Sequence, residues 1–94
     1  MPDCYPADFL RMIRNQIPIE KVMVKLLNME VRHTSKWLRF RCPLCHNFHT
    51  ATNRNTNLAR CFDCKENFNP IDIVMAVGGC TFVEAVEYIK ERMC

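Results

Sequence analysis

The spacing of apolar residues changes twice along the chain, from a helical period to an alternating one and back. Within residues 6–29 two helical faces are separated by Pro18, which ends the first run and can open the second. We therefore predict two short helices there. Their apolar faces are formed first by Phe9, Leu10, Ile13 and Ile17, and then by Ile19, Val22, Leu26 and Met29.

The helical period is lost in residues 31–65. Residues 31–33 and 36–41 predict two strands around a turn at Thr34–Ser35, and their alternation places Arg39 and Arg41 on one face of a sheet. Residues 50–53 and 58–62 predict two further strands, joined by an asparagine-rich turn. The middle of the chain is thus predicted to be a set of short antiparallel strands.

Helical signals return in residues 70–93. Asn69 precedes Pro70 and an acid in the first turn, which is typical of a helix start, and Gly78–Gly79 ends that helix. Thr81 and Glu84 form a capping-box pattern that opens a final helix. We expect one small α+β domain over residues 1–94, with strands flanked by N-terminal and C-terminal helices.

Composition narrows the class of protein. The 94 residues are 49% apolar and 24% charged, which is typical of one folded domain and excludes a disordered chain. No apolar run approaches the ~18 residues of a membrane span, and the N-terminus lacks the basic segment of a signal peptide. We expect a cytoplasmic protein that has no membrane partner.

Cysteine is unusually frequent, with seven in the chain. Cys42, Cys45, Cys61 and Cys64 form two C-x2-C pairs with fifteen residues between them, a spacing typical of a four-cysteine zinc site. Each pair can direct two sulfur atoms at one ion, and a hairpin brings the pairs together. We predict one structural Zn²⁺ on these four residues. The remaining thiols are interpreted as ordinary ones and belong to Cys4, Cys80 and Cys94.

The sequence also leaves room for a histidine ligand or for an iron ion at this site. His46 and His49 lie next to the first pair and could replace one sulfur atom as ligand. Four thiolates close the coordination shell, which favours a structural rather than a catalytic ion. An iron site of the rubredoxin kind shares the paired spacing, but His46 and Lys65 stand where glycine commonly follows such pairs.

Positive charge is concentrated around the cysteines. Between Arg32 and Lys65 seven basic residues occur with a single acid, Asp63, and aromatic residues lie between them. Basic and aromatic side chains together bind single-stranded nucleic acid. The ten acids of the chain are scattered, so we expect neither a catalytic site nor a small-molecule substrate. The predicted nucleic-acid contacts are Trp37, Arg39, Arg41, Arg54, Arg60 and Lys65.

The order of motifs resembles the N-terminal zinc-binding domain of bacterial and phage DNA primases. The resemblance implies a zinc ribbon flanked by helices, which binds single-stranded template DNA and assists initiation of the RNA primer. The polymerase core, which this chain lacks, would be a partner, as would a replicative helicase. The stretches that carry the resemblance are Tyr5–Leu10, Ile19–Val22, Cys42–Asn47, Arg60–Cys64, Pro70–Met75 and Thr81–Glu87.

Three departures from the family pattern stand out, and one other function remains open. Cys45 occupies the place of the family's usual histidine, and Lys65 replaces a glycine, so we expect the loop after Cys64 to take a different path. The segment Asn47–Thr52 is shorter than the corresponding run of the family and matches it poorly. The alternative function is a zinc-ribbon adaptor that binds a protein partner. Its docking surface would be the helices around Ile19–Met29 and Phe82–Met93.

Overall fold

A computed structural model describes residues 5–34 and 36–93, so Cys4, Ser35 and Cys94 lie outside the described residues. The α+β class is confirmed: two small antiparallel sheets lie between helices. In chain order the elements are α1 (Ala7–Gln16), α2 (Ile19–Lys21) with a π-helical segment (Val22–Leu26), β1 (Val31–His33), β2 (Leu38–Phe40), β3 (Thr50–Asn53), β4 (Leu58–Cys61), β5 (Glu66–Phe68), α3 (Pro70–Gly78) and α4 (Phe82–Met93).

The second predicted helix is shorter than expected and wider in its last turn. The N–H of Leu27 bonds to the carbonyl of Val22 five residues earlier, and the helix ends at Leu26 rather than near Met29. Asn28 then adopts a left-handed conformation, with φ of 50°. The π-helical segment begins at Val22 and Met23, which are both buried in the core.

The two sheets are joined through side chains. β1 pairs with β2, and β3, β4 and β5 form the second sheet in that order. The hydroxyl of Thr50 accepts a hydrogen bond from the N–H of Phe40 and donates one to its carbonyl. The hydroxyl of Thr52 accepts from the N–H of Leu38. These two threonines therefore hold β2 beside β3 without a backbone ladder between them.

β5 was not predicted from the sequence, whereas the helix caps of the last third were. Asn69 and Asp72 bond to each other's backbone N–H groups at the start of α3. Gly79 ends the helix with φ of 61°. Thr81 and Glu84 form the expected capping box before α4, with bonds of 2.9 and 3.2 Å. Local side-chain chemistry thus determines these helix ends.

A single core lies between the helices and the inward face of the sheets. It takes Ile19, Val22 and Met23 from the second helix and Ala85, Val86 and Ile89 from α4. The hydroxyl of Tyr88 also bonds to the carbonyl of Leu26, which ties α4 to the π-helical segment. The two helices suggested as a docking surface therefore contribute their apolar faces to this core. Within the described residues, no helix is long and apolar enough to cross a bilayer.

Candidate metal centre and nucleic-acid interface

The sulfur atoms of Cys42, Cys45, Cys61 and Cys64 lie within 4.8 Å of one another. The Sγ atoms of Cys42 and Cys64 are 3.8 Å apart, and those of Cys45 and Cys61 are 3.6 Å apart. A tetrahedral ion with Zn–S bonds of ~2.3 Å needs sulfur atoms about 3.8 Å apart. The arrangement therefore fits one structural zinc ion, as predicted.

Each cysteine pair is shaped by hydrogen bonds within its own turn. The N–H of Leu44 donates to Sγ of Cys42, and the N–H of Cys64 donates to Sγ of Cys61, both at 3.4 Å. Such donors stabilise thiolates, because they place positive charge against sulfur. The first turn is closed further by the N–H of His46, which bonds to the carbonyl of Cys42 at 2.9 Å.

The residue after each pair has a left-handed backbone. His46 has φ of 66° and Lys65 has φ of 58°. These are the positions where glycine is common, because a Cβ atom makes this conformation costly. Lys65 adopts it nonetheless, so the lysine does not by itself require a different loop path. The missing glycines are therefore no argument against a paired-cysteine turn.

The thiols influence one another's ionisation. The pKa of Cys64 is raised mainly by its hydrogen bond with Cys45 and, to a smaller extent, by burial. Burial also raises the pKa of Cys42. A hydrogen bond from the backbone of Asn47 lowers the pKa of Cys45. Thiolates crowded this closely repel each other, and a bound dication removes that cost. Without an ion the raised pKa values favour protonated thiols at Cys42 and Cys64, and a bound dication would favour their thiolates.

Neither neighbouring histidine joins the sulfur cluster. Nδ1 of His49 instead lies 3.0 Å from the Asp63 carboxylate, and Asn47 donates to the same carboxylate at 3.3 Å. The hydrogen bond to His49 is the main cause of the lowered pKa of Asp63. Cys80 lies elsewhere, with its thiol near the carbonyl of Val74. Among the described residues, the metal cluster consists of the four paired cysteines.

Comparison with protein families matches residues 5–94 to the CHC2 zinc finger. The chain belongs to the CHC2 zinc finger family. This is the N-terminal zinc-binding domain of DnaG primases, so the resemblance noted from the sequence is confirmed. Searches of curated proteins and of solved structures gave no match.

This member of the CHC2 zinc finger family has a sulfur ligand where the family name indicates histidine. Cys45 supplies that sulfur, and its Sγ is within tetrahedral distance of the Cys61 sulfur. A thiolate in place of an imidazole keeps the tetrahedral shell and makes the site one unit more negative. A zinc-binding domain of this type is non-catalytic.

A shallow groove of about 710 Å³ crosses the outward face of both sheets. Ala51, Arg60 and Asn67 lie opposite one another on β3, β4 and β5 and therefore share a face, which forms part of the groove. Trp37 and Arg39 extend the lining onto the β1–β2 hairpin. The groove thus exists because the two threonines hold the sheets side by side.

Four of the six predicted nucleic-acid contacts line this groove, namely Trp37, Arg39, Arg54 and Arg60. Arg41 is not among the lining residues. Its guanidinium bonds to the Glu30 carboxylate at 3.0 Å and to the carbonyl of His46 at 3.2 Å. Lys65 is also outside the lining and is exposed on the turn after Cys64.

The aromatic residues of the middle segment divide between core and surface. Phe40 is fully buried and Leu38 nearly so, whereas Trp37 is 39% exposed and Phe62 is 43% exposed. Trp37 and Phe62 both line the groove, and the Arg60 guanidinium lies 5.7 Å from the centre of the Phe62 ring. Phe48 is half-buried beneath the guanidinium of Arg32.

The far end of the β3–β4 hairpin is anchored by residues that sequence reasoning missed. Asn57 is 7% exposed and has φ of 56°. Its side chain accepts a bond from the N–H of Ile19 and donates to the carbonyls of Arg14 and Ile17. A single amide therefore fixes the break between the first two helices. An asparagine in a turn was the available signal, but its partners lie about forty residues away.

Glu20 makes a second contact at this end of the hairpin. Its carboxylate accepts a bond of 2.6 Å from Thr52 and bonds of 3.2–3.3 Å from Arg54. Burial acts to raise the pKa of Glu20, but the bonds from Thr52 and Arg54 outweigh it and hold that pKa below its usual value. The charge of Arg54, at the groove edge, is thereby partly neutralised.

Proposed function

We propose that this domain is the template-binding module of a primase, which binds single-stranded DNA in the outward groove and assists initiation of the RNA primer. The observation that carries the proposal is the convergence of Trp37, Arg39, Arg60 and Phe62 in one groove. Exposed aromatic rings stack on bases and guanidinium groups pair with phosphates. The family membership supports a role in priming.

Charge distribution supports the same partner. No acidic residue occurs between Val31 and Phe62, the segment that supplies most of the groove. Neither Arg39 nor Arg60 has an ion-pair partner among the described residues, and the Arg60 guanidinium lies near the Phe62 ring. Unpaired guanidinium groups in an open groove attract a polyanion. The polymerase core that would use the primer template is a partner outside this domain.

The adaptor function receives less support. Docking through apolar side chains requires exposed apolar faces on the second helix and α4, and most of those faces are buried in the core. Single exposed apolar residues remain, such as Val24 and Phe82 at 40% and 38% exposure, but isolated ones are ordinary on protein surfaces. We therefore favour nucleic acid over a protein as the ligand of this domain.

The test is a titration with a short oligothymidylate at two salt concentrations, followed by the fluorescence of Trp37, the only tryptophan of the sequence. We expect quenching, and Trp37→Ala should cost about 1–3 kcal/mol of affinity with little salt dependence. Arg60→Gln should lower the salt slope by about 0.7, because one phosphate contact is lost.

Lys90→Gln is the matched control, since Lys90 is an exposed cation on α4 outside the groove lining. It should change neither quantity. Absence of binding by the zinc-loaded domain at low salt would refute the proposal. Equal salt slopes for all variants would place the DNA on another surface.

A further inference from the structure

Arg32 and Arg39 lie directly opposite each other in the β1–β2 hairpin. Thr34 bonds to Trp37 two residues along the hairpin on one side, and Glu30 bonds to Arg41 two residues along on the other side. Because every second opposed pair of an antiparallel ladder is hydrogen-bonded, Arg32 and Arg39 form the hydrogen-bonded pair between these two. Residues in such a pair have Cα atoms about 5.5 Å apart and side chains on the same face. Both arginine side chains therefore leave the same face of the hairpin.

Like charges in directly opposed positions destabilise a sheet. Two arginines close to this hairpin or the groove have carboxylate partners: Arg41 pairs with Glu30 at 3.0 Å and Arg54 with Glu20 at 3.2 Å. Arg32 and Arg39 have no carboxylate partner among residues 5–34 and 36–93. The hairpin thus carries a repulsive pair that an anion between the two side chains would relieve.

Arg32 is also held in place. Its guanidinium carbon lies 4.0 Å from the centre of the Phe48 ring, while Arg41 approaches the same ring at 5.2 Å. Stacking on an aromatic face fixes the plane of a guanidinium and leaves its edge N–H groups available. Arg39 lines the groove, so an anion shared with Arg32 would lie at the groove's edge.

We infer that Arg32 and Arg39 form a clamp for a single backbone phosphate of the bound DNA strand, with Phe48 as the residue that positions Arg32. Two planar guanidinium groups can each donate paired hydrogen bonds to the same phosphate. The clamp marks where the strand passes from the groove onto the β1–β2 hairpin. This inference rests on the proposed function, since it assigns a contact within the same DNA complex.

The experiment compares Arg32→Gln, Arg39→Gln and the double variant in titrations with a short oligothymidylate over a range of salt concentrations. Each single variant should lose affinity about tenfold, and the double variant should lose little more than either. The salt slope of the double variant should fall by about 0.7 in total, because one phosphate is released. Arg32→Lys should keep the slope but lose affinity, since lysine lacks the bidentate fork.

Zinc content and melting temperature are measured for every variant, so that misfolding is recognised. Removal of Arg39 should raise the melting temperature of the DNA-free domain at low salt, because the repulsion ends, whereas removal of Arg32 also loses its stacking on Phe48. Phe48→Leu should weaken DNA binding in the wild-type background and have no further effect in Arg32→Gln, which a purely structural role would not produce.

The clamp would be wrong if the affinity losses of the two single variants multiplied in the double variant and its salt slope fell by about 1.4, because each arginine would then contact a separate phosphate. The proposed function would stand in that case. Unchanged affinity in Arg32→Gln, with Arg60→Gln still weakened, would overturn the clamp in the same way. If the wild-type domain binds no oligothymidylate at low salt, the proposed function fails and the clamp fails with it.

Discussion

At the zinc end of the β3–β4 hairpin four sulfur atoms converge within 4.8 Å, whereas at its turn end one amide and one carboxylate hold the strands to the N-terminal helices. The zinc end gathers ligands from two short turns. The turn end connects Asn57 and Thr52 to residues of the first two helices. The groove lies on the outward face between these two ends.

The difference lies in how much free energy each end concentrates in one interaction. A structural zinc site contributes about 10–16 kcal/mol of binding energy to folding, and all four ligands share that one interaction. A buried hydrogen bond contributes about 1 kcal/mol, and an orphaned partner costs about 1–3 kcal/mol. Single substitutions at the turn end should therefore lower the free energy of unfolding in small steps, whereas loss of one ligand at the zinc end should abolish zinc binding and the local fold together.

The largest effect is expected at the zinc end. Cys61→Ser should abolish stoichiometric zinc binding and unfold the central strands, because a closed four-thiolate shell does not tolerate loss of a ligand. Metal analysis and circular dichroism of the purified variant would measure this. A chelator should unfold the wild-type domain in the same way.

Cys80→Ser is the control for this substitution, since its thiol lies outside the sulfur cluster. It should retain one zinc per chain and near-normal stability. A Cys61→Ser variant that keeps full zinc content, or a well-folded wild-type domain with far less than one zinc per chain, would contradict the ligand set.

The two ends also differ in how far they could be predicted from the sequence. The C-x2-C spacing identifies the zinc ligands, because both sulfur atoms of a pair come from one turn and need no knowledge of the fold. The capping residues Asn69 and Thr81 were predictable for the same reason. In each case the partner lies within four residues.

The turn end depends on contacts between residues far apart in the sequence. Asn57 bonds to residues 38 to 43 positions away, and Thr52 to Glu20 across 32 positions. Periodicity gives no information on such pairs. The groove lies between these two cases. Alternation predicted Arg39 and Arg41 on one face, but the pairing of Arg41 with Glu30 could be seen only in the folded chain.

A smaller effect is expected at the turn end. Asn57→Gly keeps the left-handed backbone but removes the amide, which leaves the N–H of Ile19 and two carbonyls without their partner. The free energy of unfolding should fall by about 3 kcal/mol or more, because each of the three orphaned groups costs about 1–3 kcal/mol. Urea unfolding of the zinc-loaded protein would measure it, and zinc content should stay at one per chain.

Asn55→Gly is the matched control, since Asn55 is exposed in the same turn. It should cost less than about 1 kcal/mol, the entropic cost of a glycine. Equal losses in the two variants would mean that the Asn57 amide does not anchor the helices. Loss of zinc from Asn57→Gly would mean that the two ends of the hairpin are not energetically separate.

The smallest predicted effect is the contribution of Glu20 to stability, which depends on pH. Because the folded-state pKa of Glu20 lies below its ordinary value of 4.5, its charged form stabilises the fold above that value, and this stability is lost as pH falls through the folded-state pKa. Glu20→Gln should therefore be less stable than the wild type near neutral pH, by about 1 kcal/mol. The difference in stability between the two proteins should disappear at acid pH.

The free energy of unfolding of both proteins is measured at each pH, so that acid release of zinc affects them alike. Glu30→Gln, which removes an exposed carboxylate paired with Arg41, should differ from the wild type by less than about 0.5 kcal/mol throughout. A constant gap for Glu20→Gln down to acid pH would show that its packing, and not its charge, holds the turn end.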